Sequence, residues 1–104
     1  MRESKKTLEA LVDRINEVLG MPEKPYSDKR VDGYLIANIG NYHINSAYGG
    51  YSIYRMSNEH GGVNDGAMRG RYSLGEMVRL CRAFLDGIEA ASNVIKAGKQ
   101  LHIY

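Results

Sequence analysis

The chain is short of several things that commonly declare a function. It has a single cysteine, Cys81, so no intramolecular disulfide can form and no cysteine cluster can cage zinc. One thiol fits a reducing compartment, and the cytoplasm is the expected location. No run approaches the about 20 apolar residues of a membrane span, and MRESKKTLEALV at the start lacks the apolar centre of a signal peptide. No membrane partner is expected. Charge of one sign is also missing: 14 basic residues stand against 12 acidic ones, a net charge of +2. That is too balanced to mark a nucleic-acid or membrane binder by charge alone.

Catalytic signatures are equally scarce. The glycine runs are followed by no Gly-Lys-Ser/Thr and match no dinucleotide fingerprint. His43, His60 and His102 are scattered, without His-x-x-x-His spacing, and no metal or other cofactor is expected. His60 beside Glu59 reads as a polar loop histidine, and Cys81 as a buried thiol on an apolar stripe. No acid, base and nucleophile assemble, so an enzyme ranks last among the readings.

What the chain does have is a pattern that changes along its length. Leu8, Leu11, Val12, Ile15, Val18 and Leu19 recur at three- and four-residue spacing and predict an amphipathic helix over 4–19. Gly20 and Pro22 end it. Residues 21–33 hold both prolines and read as a surface connection. From Tyr34 to about Met68, tyrosines and β-branched residues are punctuated by Gly40-Asn41, Gly49-Gly50 and Gly61-Gly62. These turn signals place strands near 34–39, 42–47, 51–57 and 62–67. Ser73 and Glu76 form a capping box that opens a second helix, running to about Ala91 and ending by Gly98. The tail KQLHIY reads as a frayed end, or as a strand added to a neighbour.

The expected fold class is α+β, a single domain over 1–104. Its core spans about 4–91, and 92–104 form a C-terminal extension. A helix, a three- or four-stranded antiparallel sheet and a second helix follow in order, with both helices on one face of the sheet. The other face is left to solvent, which suits tyrosine: its ring packs on neighbours while its hydroxyl stays wet.

The stretch IGNYHINSAYGGYSIYRMSN, residues 39–58, concentrates chemistry. Alternation puts Tyr51, Ile53 and Arg55 on one face and Ser52, Tyr54 and Met56 on the other, so neither face is purely core. Exposed tyrosine rings can stack on a planar group and a guanidinium can fork onto phosphate. Arg69, Arg71, Arg79 and Arg82 against Glu76 alone make a local basic patch. The candidate ligand-binding residues are Tyr42, His43, Tyr48, Tyr51, Tyr54, Arg55, Arg69 and Arg71. Cross-strand packing by the tyrosines, with nothing bound, explains the same residues.

The run Ile39-Gly40-Asn41-Tyr42-His43, then Ala47-Tyr48-Gly49-Gly50-Tyr51, Arg55-Met56-Ser57-Asn58 and Gly61-Gly62-Val63, resembles a family of small phage and prophage proteins. The resemblance covers roughly Thr7 to Gly87; the C-terminal tail is longer than in the short family form. It implies a place in the host bacterial cytoplasm and an anti-defence role. Its implied activity is that of a non-enzymatic sponge that sequesters a cyclic nucleotide immune signal or similar small anionic nucleotide-like ligand. The leading reading is such a binding protein acting as a homo-oligomer with sites near subunit boundaries. Two alternatives stay open. Helix, strands and helix is also the element order of a double-stranded-RNA-binding module, and a tyrosine and arginine surface also suits an inhibitor of a host defence enzyme.

Overall fold

The computed structural model describes residues 4–66 and 68–101. Helix α1, Lys5–Leu19, starts where the Ser4 hydroxyl accepts a hydrogen bond from the Thr7 amide, and stops at Gly20, whose φ of 68° closes the last turn. Its apolar stripe buries Leu8, Val12 and Ile15. Helix α2, Leu74–Leu101, is capped by Ser73, which accepts from the Glu76 amide at 3.3 Å. The Ser73 hydroxyl donates to the Glu76 carboxylate at 2.8 Å, so here the glutamate closes the cap through the side chain and not through the backbone. The helix passes Gly98, its expected limit, because glycine within a helix costs only about 1 kcal/mol and ends it only where the backbone turns left-handed. Of the predicted tail, residues 102–104 lie outside the described residues.

Five strands lie between the helices: β1 Tyr26–Val31, β2 Tyr34–Ala37, β3 Tyr42–Ala47, β4 Gly50–Met56 and β5 Val63–Asn64. They form two antiparallel sheets, β1-β2 and β3-β4-β5. The predicted strand at 34–39 exists, but it pairs with residues 26–31 and not with the meander. The connection expected over 21–33 thus contains a strand, and Asp32-Gly33 is its hairpin turn. An Asp-Gly pair is among the strongest short-range hairpin signals, masked here by the charged YSDKR that precedes it.

The fold class is α+β as the pattern predicts, with both helices over one face of β3-β4. Leu8, Val12 and Ile15 of α1 meet Tyr42 and Ile53 of the sheet, Met68, and Met77, Val78, Cys81 and Leu85 of α2. Ile44 and Ile53 face each other across β3 and β4 in the middle of that layer. Asn16 fastens α1 to the sheet: its amide nitrogen donates to the Tyr42 carbonyl at 2.9 Å and its oxygen accepts from the Tyr42 amide at 2.8 Å. A buried helix side chain thereby takes the place of a neighbouring strand. The opposite face is less open than expected. Ser52, buried there, donates to the Gly70 carbonyl at 2.9 Å, and Arg71 reaches Asn45 on the same side.

Candidate functional site

The predicted site residues divide among four places. At the tip of the β3-β4 hairpin, Tyr48 and Gly49 make a two-residue turn with φ of 52° and 73°, the left-handed pair that matches strand twist. Tyr48 is 99% exposed. Arg71 lies beneath it, with its guanidinium carbon 5.9 Å from the ring centroid. That guanidinium donates to the carbonyls of Ala47 at 3.1 Å and Gly50 at 3.2 Å, and to the Asn45 side-chain oxygen at 2.8 Å. Gly50 must be glycine for this to happen, since a Cβ there would lie 2.7 Å from the Arg71 side chain. Arg71 is engaged in holding the turn, a task that no local pattern in the chain announces.

At the far end of the same ribbon the register aligns Tyr42 with Arg55 and Arg55 with Asn64, a row across three strands on the helix-facing side. Tyr42 is buried, its ring 6.3 Å from that of Phe84 at a 49° tilt. It was expected to present its ring outward; the alternation that puts Ile44 and Ile53 inside carries Tyr42 in with them. Gly66 closes over it, where a Cβ would come 2.9 Å from the Tyr42 ring and 3.6 Å from the Arg55 Cβ. The Asn64 oxygen fixes that loop by accepting from the Gly66 amide at 2.9 Å. Arg55 is half-buried, and among the described residues no carboxylate or carbonyl meets its guanidinium. Beside this row Asn64, Asp65, Gly66 and Arg69 line an open cleft of about 400 Å³. Asn64 and Gly66 belong to the glycine-rich loop whose amides the sequence offers to an anion; the pairing of Asn64 with Arg55 shows only in the register.

The third place is the opposite face, where His43 and Tyr54 pair across the strands with rings at 82° and centroids 6.2 Å apart. The Asn41 amide nitrogen donates to the Pro22 carbonyl, so its oxygen faces His43, and the His43 Nδ1 hydrogen donates to it at 3.2 Å. Burial pulls the His43 pKa below its ordinary value of 6.5, and hydrogen bonding at Asn41 offsets part of the fall. Tyr51 is the fourth case: half-buried, it packs on the core and pairs its backbone with Tyr72.

The eight predicted residues therefore do not converge on one pocket. Arg55 and Arg69 border one corner through Asn64 and Gly66, while Tyr48 with Arg71 and His43 with Tyr54 lie elsewhere. Of the remaining reactive groups, burial pushes the Cys81 thiol up to about 11, which keeps it protonated and inert at neutral pH. Among the described residues no three His, Cys, Asp or Glu side chains gather as metal ligands, and no helix is long and apolar enough to cross a membrane. No family profile, curated protein or solved structure matches the chain.

Proposed function

We propose that the protein is a non-enzymatic binding protein that takes a small anionic, nucleotide-like ligand at the Arg55 corner of the sheet. One observation carries the reading: a half-buried guanidinium with no carboxylate partner among the described residues. Withdrawing an arginine from water without pairing it is unfavourable, and an arriving phosphate or carboxylate restores the missing partner through bidentate hydrogen bonds. Arg69 brings a cation to the neighbouring cleft, where it stands with the Asp65 carboxylate; Asn64 adds an amide, and Gly66 a backbone without a side chain to hinder approach. Such a ligand is what a phage-type sponge for cyclic nucleotide immune signals captures, and the sequence resemblance supports that use.

Calorimetry of the purified chain against cyclic di- and trinucleotides and cyclic ADP-ribose isomers tests the reading. Binding by one member is expected, with a loss of about tenfold or more in Arg55→Ala, because removing a charged hydrogen-bond donor from a phosphate costs about 1.5–3 kcal/mol. Arg71→Ala is expected to alter stability while leaving intrinsic affinity within about twofold. Silence across the panel, or binding unaffected by Arg55→Ala, overturns the proposal.

A further inference from the structure

The outer edge of β3 carries unpaired backbone groups beside a groove. In the order β3-β4-β5, β3 is an outer strand, and its backbone groups face alternately toward β4 and away from it. The Asn41 carbonyl accepts from the Met56 amide at 2.8 Å, which sets the odd-numbered residues toward β4. Tyr42 faces away, and Asn16 occupies both its N–H and its C=O. By the same alternation Ile44 and Ser46 direct their N–H and C=O groups outward, and no group among the described residues meets them. Helix α1 runs beside this edge without closing on it, leaving a groove of about 290 Å³. Its walls carry Glu9, Asp13 and Glu23 against the single cation Lys5.

We infer that this groove receives an extended segment of a partner protein bearing lysine or arginine, which adds to β3 as a short strand through Ile44 and Ser46. Main-chain hydrogen bonds to an open edge supply affinity in such additions, and the flanking side chains supply selectivity. Here the flanks select for positive charge. Asn16 acts as a stop, since an incoming strand cannot pair beyond Ser46 and Ile44 into Tyr42. A second copy of this chain suits the groove poorly: its own β3, Tyr42–Ala47, has no lysine or arginine and would bring the same carboxylates with it. The groove shares no lining residue with the Arg69 cleft, so the two sites stand or fall separately.

The test uses the full chain, labelled with nitrogen-15, and two capped peptides, one of alternating valine and lysine and one with glutamate in place of lysine. With the lysine peptide in excess, amide exchange at Ile44 and Ser46 is expected to slow about tenfold or more, while Tyr42 stays as it was. The glutamate peptide is expected to bind about tenfold or more weakly, and Glu9→Gln with Asp13→Asn to weaken the lysine peptide by a similar factor at low salt. Ser46→Pro removes one outward donor without touching the β4 ladder and is expected to abolish binding. If that variant melts early, the exposed Glu9 and Asp13 pair decides alone. Equal binding of both peptides, or shifts confined to other strands, overturns the inference. So does protection of Ile44 and Ser46 in a concentration-dependent dimer of the free protein, which assigns the edge to a second copy.

Discussion

The molecule contains two hairpins with nearly the same turn and opposite fates. Asp32–Gly33 and Tyr48–Gly49 both place two successive residues at positive φ, 51° and 80° in the first and 52° and 73° in the second. The ribbon behind Tyr48 is roofed by two helices and buries Tyr42, Ile53 and Met56. The ribbon behind Asp32 leaves Val31, Tyr34 and Leu35 exposed, Tyr34 by 75%. Turn chemistry therefore sets the reversal of the chain but not the worth of the strands it joins. That worth comes from what the side chains cover. A two-stranded hairpin gains little by itself in water, and β1-β2 is held at its base by bonds such as that from the Ala37 amide to the Glu59 carbonyl, at 3.0 Å.

The contrast can be broken at graded cost. Ile53→Ala empties a fully buried position between the sheet and the helices and is expected to destabilise the fold by about 2–5 kcal/mol in urea melts. Asn16→Leu leaves the Tyr42 N–H and C=O buried without partners, and a loss of about 1–3 kcal/mol is expected by the same measurement. His43 sharpens the comparison through pH. Its folded pKa lies below 6.5, so between the folded and unfolded values the unfolded chain binds more protons. Its contribution is whole above the unfolded value and disappears as pH falls through the folded one. Thermal melts should show Tm dropping on acidification below 6.5, with a shallower drop in His43→Gln. Leu35→Ala in the exposed hairpin is expected to change stability by no more than about 0.5 kcal/mol. A cost comparable to that of Ile53→Ala would show that the outer hairpin is covered in solution.

Helices were the most legible part of the sequence, because Gly20, the Ser73 and Glu76 box and the three-and-four spacing each announce themselves locally, while the Ser4 cap shows only in the structure. The strands at 42–47 and 50–56 follow from alternation and from Gly49. The outer hairpin was hidden because Ser27, Asp28, Lys29 and Arg30 carry no apolar alternation, leaving Asp32-Gly33 as the sole cue. Placement of the candidate residues was less legible still. Arginines look alike in sequence, yet Arg71 is tied to three backbone carbonyls and one side-chain oxygen around one turn, while Arg55, of the same type, has no such partner among the described residues. Only the register that brings Asn64 beside Arg55, and the hairpin that gathers oxygens around Arg71, tell them apart.

The roof over the central ribbon comes largely from α2, which supplies Met77, Val78, Cys81 and Leu85 to the core. A ribosome delivers α1 and all five strands before that helix exists. During synthesis, Ile53 and its neighbours are therefore made before the residues that cover them. The central ribbon therefore acquires its cover only once the closing helix has been made.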